Sequence, residues 1–309
     1  MPQEEKRKIL VIGSSGMLGV DLCKELSKTH DVFGLDLSGT SDILRHRSHF
    51  VEGDITVREA VESVILELRP SVVFHTAAWT DVDGCERDPK TAFRVNADGT
   101  ENVARCCDEA GSSLVYISTD YVFDGSSDRP YREDDVTNPL GIYGRSKLRG
   151  EDAVKRLAKD FYIVRTSWLF GANGGHFVDA IIRKAGSTRR LTVVDDQRGS
   201  PTYTKDLAKA LSLLLEKITE GKAARGAYHI ANSGNVSWCD YARAVVRLKR
   251  LDAEVVPIST VELNRPAPRP KYSVLDTEKF YSLTKHRLRA WEEALRTYLE
   301  TDGKEREEQ

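Results

Sequence analysis

Residues 8–13, KILVIG, and the glycines that follow them decide the fold of this chain. The run is apolar and rich in β-branched residues, which is typical of a strand buried on both faces of a parallel sheet. Gly13, Gly16 and Gly19 then lead into MLGVDLCKELSK, a stretch with helical apolar periodicity. Glycines let the backbone approach a pyrophosphate closely, and the helix N-terminus supplies free N–H groups and the positive end of its dipole. The stretch therefore predicts a dinucleotide-binding loop.

This loop has two interpretations. The spacing is Gly-x-x-Gly-x-x-Gly rather than Gly-x-Gly-x-x-Gly, and a tight strand–helix turn without a ligand would also use glycines. Its place between a clear strand and a clear helix favours dinucleotide binding. The loop residues expected at the cofactor are Gly13, Ser14, Ser15, Gly16, Met17, Leu18 and Gly19.

A second apolar stretch, DVFGLDLS, predicts a strand that ends near Asp36, about twenty residues beyond the loop. An acidic residue at this place hydrogen-bonds the adenosine ribose hydroxyls of a dinucleotide and repels a 2′-phosphate. Asp36 therefore favours NAD over NADP. The basic residues Arg45 and Arg47 lie close in sequence and would offset this preference, so the cofactor is NADPH or NADH.

Strand and helix patterns alternate as far as about residue 170, which implies βαβ crossovers and a parallel sheet with helices on both faces. We predict an α/β fold, a Rossmann-type doubly wound parallel sheet with a smaller C-terminal substrate-binding lobe. Glycines and prolines become denser after residue 170, so residues 1–170 are assigned to the dinucleotide-binding domain and 171–309 mostly to the lobe, interleaved with the last sheet elements. The patterns are SVVFHTAA, a helix over 88–110, SLVYISTDYVF, a helix carrying Tyr143, and FYIVRTSWLF.

Composition narrows the class of protein. The 309 residues carry 48 acidic and 46 basic side chains, for a net charge of −2, and no basic block suggests nucleic acid. No apolar stretch approaches ~18 residues, and the N-terminus lacks the apolar segment of a signal peptide. We expect a cytoplasmic enzyme that does not bind a membrane. No metal-site residues are predicted, and metal dependence and a homodimer are left open. The cysteines, which have neither metal-ligand nor disulfide spacing, are Cys23, Cys85, Cys106, Cys107 and Cys239.

Tyr143 and Lys147 lie four residues apart in GIYGRSKLRGE. On a helix this spacing puts both side chains on one face. A Lys ammonium beside a phenol favours the phenolate and lowers the Tyr pKa from about 10, and such a Tyr exchanges a proton with a carbonyl or hydroxyl near neutral pH. Alone, the pair more often marks two solvated residues on a surface helix. The upstream glycine loop favours the catalytic interpretation.

Ligands of open α/β sheets bind beyond the carboxyl ends of the strands. Small residues at one such end would let a cofactor approach the backbone, and a Thr119 hydroxyl at the next would hydrogen-bond a substrate carbonyl oxygen. The alternative for Thr119 is a strand residue with a satisfied hydroxyl. His75, inside a strand, is expected to be a packed core residue. The strand-end residues are Ala77, Ala78, Trp79, Ser118, Thr119 and Asp120.

Several segments together resemble an extended short-chain dehydrogenase/reductase, and within that superfamily the dTDP-4-dehydrorhamnose reductase family. The glycine loop and the Tyr/Lys pair specify only the superfamily, whereas DDQRGSPT and RTSWLFG are much more specific to this reductase group. The resemblance runs from residue 10 to 280 in family order. Its segments are VIGSSGMLG, FHTAAWTDVDGCE, STDYVFDG, NPLGIYGRSKLRGE, VRTSWLFG, VVDDQRGSPTYTKDLA and RPKYSVLDTEKF.

The resemblance implies roles at matching positions. Thr119, Tyr143 and Lys147 would form a catalytic trio that reduces the 4-keto group of a nucleotide-activated 6-deoxysugar, with Tyr143 as proton donor. Lys147 would also hold the nicotinamide ribose. Trp168 would lie against the deoxysugar, and Arg269 would contact the diphosphate; they are otherwise a core indole and a rim arginine. The other implied contacts are Asp54 and Ile55 for the cofactor, and Asp120 and Gln197 to Thr202 for the substrate.

Two alternatives stay open at the level of sequence. A sugar-nucleotide epimerase uses the same Tyr/Lys chemistry but retains its NAD and returns the hydride. A non-enzymatic regulatory subunit, as in the β subunit of methionine adenosyltransferase, resembles the same family and keeps much of the fold. DDQRGSPT argues against the epimerase, and the closeness of STDYVFDG, DDQRGSPT and RTSWLFG to the enzyme pattern argues against the regulatory subunit.

Overall fold

A computed structural model describes residues 6–39 and 49–301. Seven strands form one sheet in the order β11-β6-β5-β4-β1-β2-β3, and every neighbouring pair is parallel. The strands in chain order are β1 Lys8–Ile12, β2 Asp31–Asp36, β3 Phe50–Glu52, β4 Val72–His75, β5 Ser113–Thr119, β6 Phe161–Thr166, β7 Leu169–Phe170, β8 Arg190–Val194, β9 Arg198–Gly199, β10 Thr202–Tyr203, β11 Gly226–His229, β12 Val236–Ser237 and β13 Glu254–Ile258.

Helices cover both faces of this sheet, and a separate strand pair, β8 with β13, lies outside it. The α-helices are α1 Met17–Leu26, α2 Arg58–Leu68, α3 Val82–Arg87, α4 Pro89–Phe93, α5 Gly99–Ala110, α6 Ile142–Leu157, α7 Phe177–Ala185, α8 Thr204–Thr219, α9 Trp238–Lys249, α10 Thr260–Leu263, α11 Glu278–Thr284 and α12 Trp291–Glu300. A π-helical turn covers Arg94–Asp98, and a 3₁₀ turn covers Asp120–Val122.

Strand β1 shows why the first apolar run decides the fold. Ile9 and Val11 pack into the hydrophobic cluster on one face of the sheet, and Leu10 and Ile12 pack into the cluster on the other. Because successive side chains of a strand point to opposite faces, a strand covered on both sides needs an uninterrupted apolar run. The predicted α/β class and doubly wound parallel sheet are confirmed.

The strand order reverses beside β1, which pairs with β2 on one side and with β4 on the other. The chain fills the sheet outwards from β1 to β3 in one direction and from β4 to β6 in the other. In open α/β sheets a crevice forms at such a reversal, beyond the carboxyl ends of the strands. The topology therefore places a ligand cleft where the glycine loop ends β1.

Two predicted elements differ from the observed ones. The helix predicted over 88–110 begins at Pro89, where the Asp88 carboxylate accepts from Thr91 N–H, and its residues Arg94–Asp98 form a π-helical turn between α4 and α5. The strand predicted over SLVYISTDYVF ends at Thr119, where the chain turns into the 3₁₀ segment. Arg45 and Arg47 lie outside the described residues.

The chain beyond residue 170 contributes to two parts of the molecule. Strand β11 returns to the main sheet and pairs with β6. Other residues between Phe170 and Leu299 form a hydrophobic cluster of their own, which contains Val178, Leu191 and Tyr241. This pattern is compatible with an interleaved lobe, and the division at residue 170 stays a prediction. In residues 6–39 and 49–301, no helix is long and apolar enough to cross a membrane.

Candidate active site

One continuous cleft of about 1440 Å³ lies at the carboxyl edge of the sheet. Pockets for a single drug-sized ligand measure roughly 300–1,000 Å³, so this cleft has room for two ligands side by side. Its cofactor half is lined by the glycine loop and the ends of β2 and β4. Its substrate half is lined by residues that follow β6, β8 and α10, among them Trp168, Gln197, Arg265 and Arg269.

Each of the three loop positions requires glycine for a different physical reason. Gly13 has φ +83°, and a Cβ on it would lie 2.6 Å from Ala77 N. A Cβ on Gly19 would lie 2.0 Å from Gly13 O, so Gly19 permits close packing of α1 on the loop. A Cβ on Gly16 would meet only Gly13 O, at 3.3 Å, and Gly16 borders the cleft. The loop thus leaves a space at Gly16 beside the first turn of α1, whose N–H groups lack partners within the helix, and this space fits a pyrophosphate.

Asp36 lies at the end of β2 and borders the cleft, as predicted. Its Oδ2 accepts a hydrogen bond from Ser15 N–H at 2.8 Å, and its Oδ1 accepts one from Leu37 N–H at 2.8 Å. The carboxylate therefore holds the glycine loop as well as facing the cofactor half. Ser15 donates its hydroxyl to Ser38 O, and Ser14 is fully buried. Neither serine side chain is among the residues that line the cleft.

The other predicted cofactor residues line the same half of the cleft: Met17, Leu18, Asp54, Ile55, Ala77, Ala78 and Trp79. Asn96, which was not predicted from the sequence, holds Trp79 in place. Its amide accepts from Trp79 N–H at 2.8 Å and donates to Trp79 O at 3.1 Å and to Ser146 Oγ at 3.0 Å. Asn96 thereby ties the end of β4 to helix α6. It lies in the π-helical turn, which only the three-dimensional structure reveals.

Lys147 is 2 % exposed, and its Nζ donates to Ile117 O at 2.8 Å and lies 4.2 Å from the centroid of the Tyr116 ring. Burial lowers the pKa of Lys147 to about 7, and the negative charge of Glu151 offsets part of this decrease. The side chain is therefore a buried amine that gains and loses its proton near neutral pH.

Tyr143 lies one turn before Lys147 on α6 and lines the cleft, as predicted. The expectation that Lys147 lowers its pKa is wrong for this structure. Burial raises the pKa of Tyr143 well above its usual value, and the hydrogen bond with the Thr119 hydroxyl offsets only part of the rise. Desolvation disfavours the charged phenolate, so Tyr143 keeps its proton at neutral pH. That is the form in which it can donate.

Thr119 and Asp120 lie at the end of β5, beside Tyr143. The Thr119 hydroxyl accepts from Tyr121 N–H at 3.2 Å and donates to Asp120 Oδ1 at 3.1 Å. Asp120 is 2 % exposed, and burial raises its pKa to about 7 despite hydrogen bonds from Ser273 and Thr119. The structure thus brings the phenol of Tyr143, the hydroxyl of Thr119 and the carboxyl group of Asp120 together in one part of the cleft.

A buried ion pair connects helix α6 to strand β6. Glu151 follows Lys147 by one turn and is fully buried, and Arg165 on β6 donates to both its oxygens, at 2.9 and 2.8 Å. Ser118 Oγ donates to Glu151 Oε1 at 2.7 Å. Burial raises the pKa of Glu151, but these contacts outweigh burial and hold it below its usual value. This pair was not predicted from the sequence. The one sequence feature that pointed to it is the helical spacing of Glu151 from Tyr143 and Lys147.

Trp168 follows β6 and has φ +49°, a left-handed conformation that costs a non-glycine residue on the order of 1–3 kcal/mol. Its indole stacks on Trp238 with ring centroids 3.5 Å apart and planes 5° from parallel. A Cβ on Gly199 would lie 2.4 Å from Trp168 Cε2. The indole is therefore held between Trp238 and the backbone at Gly199, at the border of the cleft. Trp238 was not predicted.

The polar residues of the substrate half are anchored by neighbours from distant segments. Arg269 donates to Asp83 Oδ1 at 3.0 Å and to Ala267 O at 2.9 Å, and Arg265 donates to Asp83 Oδ2 at 3.1 Å. Asp83, another residue missed, thus aligns two arginines at the cleft. Of the segment 197–202, Gln197 lines the cleft, and it donates to Thr260 Oγ1 at 2.9 Å.

The remaining polar candidates belong to the core. His75 is fully buried with Nε2 3.1 Å from Thr100 Oγ1, and burial lowers its pKa to about 3. This confirms it as a packed core residue. All five cysteines are buried and free. Within the described parts of the chain, no group of three or more His, Cys, Asp or Glu side chains could hold a metal ion.

A family model, curated relatives and solved structures all match most of this chain. The model of the family described as "RmlD substrate binding domain" matches residues 7–303. The dTDP-4-dehydrorhamnose reductase of Streptomyces griseus is 43% identical over 93% of this chain and 91% of its own length. The crystal structure of dTDP-4-dehydrorhamnose reductase from Bacillus anthracis in complex with NADP superposes with a TM-score of 0.84 at 35% identity, covering 95% of this chain and 99% of that one.

The fold extends to other sugar-nucleotide enzymes. The crystal structure of Thermus thermophilus UDP-glucose 4-epimerase in complex with NAD superposes with a TM-score of 0.83 at 22% identity, covering 96% of this chain and 99% of that one. At this level of identity the likeness concerns the fold alone. The fold therefore does not distinguish a reductase from an epimerase. The relatives that are 43% and 38% identical in sequence are named dTDP-4-dehydrorhamnose reductase.

Proposed function

The chain belongs to the RmlD substrate binding domain family, and we propose that it reduces the 4-keto group of a nucleotide-linked 6-deoxysugar with NADPH or NADH. The relatives named dTDP-4-dehydrorhamnose reductase, one of them solved with NADP, support this activity. One observation in the structure carries the proposal. Tyr143, beside Thr119 and one turn from the buried Lys147, lies in a cleft that is continuous from the glycine loop to Trp168.

The cofactor half fits a dinucleotide. The pyrophosphate would lie in the space beside Gly16, next to the first turn of α1. Asp36 would face the adenosine ribose. Lys147 would hold the nicotinamide ribose. The nicotinamide, when bound, supplies the hydride.

The residues of this chain would supply the proton and stabilise charge. Tyr143 would donate its phenolic proton to the substrate oxygen as negative charge develops there. The Thr119 hydroxyl would turn from Asp120 to orient the same substrate oxygen. Lys147 would act on the nicotinamide ribose, in the ammonium form that Glu151 favours.

The substrate half fits a sugar nucleotide. Asp83 holds Arg265 and Arg269 at the cleft, where they would pair with phosphate oxygens. A planar guanidinium suits this role because it can donate two parallel hydrogen bonds to a phosphate. Trp168 would present its fixed indole to the deoxysugar. Gln197 would hydrogen-bond a polar group of the substrate, since its carbonyl oxygen is free of the bond to Thr260.

The decisive experiment is an assay of NADPH and NADH oxidation with a nucleotide 4-keto-6-deoxysugar, on the wild type and on Tyr143→Phe. The substitution removes only the hydroxyl, so we expect cofactor binding to survive and kcat to fall by about 10²–10⁴. A Tyr143→Phe enzyme within a few-fold of wild type would remove Tyr143 from the mechanism. A wild type without reductase activity on any such sugar would refute the proposed function.

A further inference from the structure

Trp168 is held in a conformation that is unfavourable in two ways. Its φ of +49° lies in the left-handed region, which a residue other than glycine keeps only when its surroundings enforce it. Its indole N–H is buried and has no hydrogen-bond partner among the described residues. A buried donor without an acceptor destabilises a folded protein. Contacts with other parts of the chain must therefore hold Trp168 in this position.

The segment around β9 and β10 holds the backbone at Trp168. Ser167 Oγ donates to Ser200 O at 2.7 Å, and Thr202 N–H donates to Trp168 O at 3.2 Å. Thr202 also begins β10, which pairs with β7 in parallel. These bonds fix the left-handed turn between β6 and β7 from a segment that lies more than thirty residues further along the chain.

Gly199 and Trp238 hold the indole itself, and they lie on two paired segments. Gly199 pairs with Val236 of β12, and Trp238 begins α9 directly after that strand. Trp238 stacks on the indole with ring centroids 3.5 Å apart, and Phe177 packs behind it with centroids 4.5 Å apart. A Cβ on Gly199 would lie 2.4 Å from Trp168 Cε2, a separation that Cβ atoms essentially never show. The indole thus occupies the space that any other residue at 199 would need.

The fixed indole presents carbon atoms to the cleft. Trp168 borders the cleft, whereas its N–H is buried. A flat aromatic surface packs against C–H groups and offers no hydrogen bond to a hydroxyl. A side chain that is already in place when a ligand arrives does not have to be ordered on binding. The free protein therefore carries the unfavourable conformation in advance.

We propose that Gly199 and Trp238 are positioning residues for sugar binding, which act by fixing the indole of Trp168 against the deoxysugar. The inference rests on the proposed reductase function, which assigns Trp168 to the deoxysugar. It also explains one residue of the DDQRGSPT segment in physical terms, because Gly199 is the glycine of that segment.

The test compares the Kd for a dTDP-linked 6-deoxysugar with the Kd for dTDP alone, which lacks the sugar. The methyl group added in Gly199→Ala would displace the indole, so the affinity for the sugar nucleotide should fall by about tenfold or more. Trp238→Leu removes the stacking partner and should weaken the same binding by about three- to tenfold. Trp238→Phe keeps an aromatic face and should recover part of this loss. In all three variants the affinity for dTDP should stay at the wild-type value.

A double variant determines whether Trp238 acts through Trp168. Trp168→Leu alone removes the indole, so the addition of Trp238→Leu should weaken sugar-nucleotide binding little further. In turnover assays of Gly199→Ala, KM for the sugar nucleotide should rise while kcat and the Kd for the cofactor stay near wild type. Gly186→Ala is the matched control, because a Cβ there meets its nearest atom at an ordinary 3.5 Å.

Unchanged affinity for the sugar nucleotide in Gly199→Ala and Trp238→Leu would overturn the proposal. Equal losses of sugar-nucleotide, dTDP and cofactor binding would overturn it as well, because the two residues would then only support the fold. A wild type that reduces no nucleotide 4-keto-6-deoxysugar would refute the proposed function and this proposal with it. A wild type that reduces such a sugar, with variants that bind it normally, would refute this proposal alone.

Discussion

The two halves of the cleft are built in different ways. The cofactor half is mainly backbone: a loop with φ +83° at Gly13, the free N–H groups of α1, and small residues after β4. The substrate half is mainly side chain: a guanidinium pair, a stacked indole and an amide. The first depends on one short contiguous segment and its strand partners. The second depends on residues that are far apart in sequence.

This difference predicts which kind of substitution abolishes ligand binding in each half of the cleft. A backbone site is lost when a side chain fills its space, whatever the chemistry of that side chain. A side-chain site is lost when a positioning neighbour is removed, as Asp83 positions Arg265 and Arg269. Tyr143, Thr119 and Lys147 also line the cleft, so the proposed chemistry depends on both halves.

The largest effect in the cofactor half is expected from Gly16→Val. The side chain would occupy the space of the pyrophosphate, so we expect the Kd for NADPH and NADH to rise by about 100-fold or more while the chain stays folded. Gly186→Val is the matched control, because a Cβ there meets its nearest atom at an ordinary 3.5 Å. Near wild-type cofactor affinity in Gly16→Val, measured by calorimetry, would mean that the loop is a structural turn.

A smaller effect, confined to the other half, is expected from Asp83→Asn. The change removes the carboxylate that aligns the two arginines, so KM for the sugar nucleotide should rise about tenfold or more, in line with the roughly 1.5–3 kcal/mol typical of a hydrogen bond to a charged group. Cofactor affinity should not change. Asp252→Asn breaks an ion pair whose side chains are 87% and 84% exposed and should have no effect. Equal losses of cofactor and substrate binding in Asp83→Asn would contradict the division of the cleft.

The smallest effect concerns cofactor choice at Asp36. Asp36→Asn keeps an acceptor for Ser15 N–H and removes the negative charge, so the ratio of kcat/KM for NADPH over NADH should rise several-fold, an effect of about 1 kcal/mol. Asp36→Ala also releases the loop and should weaken binding of both cofactors. An unchanged ratio in Asp36→Asn would show that the carboxylate does not face the adenosine 2′ position.

Sequence reasoning was strongest where the signal is local. The apolar run at 8–13 and the helical spacing of Tyr143 and Lys147 predicted elements that the structure confirms. It failed where burial or a distant partner decides the outcome. The pKa of Tyr143 rises because the phenol is desolvated, and Asn96, Asp83 and Glu151 gain their roles from partners 14 to 186 residues away.

The sequence by itself determined the α/β class, the position of the glycine loop and the identity of the Tyr/Lys pair, because strand periodicity, glycine spacing and helix geometry act over a few neighbouring residues. Only the tertiary structure decided that burial raises the pKa values of Tyr143 and Asp120 and that Trp238 supports Trp168. Desolvation and stacking depend on which distant segments close around a side chain, and spacing along the chain does not contain that information.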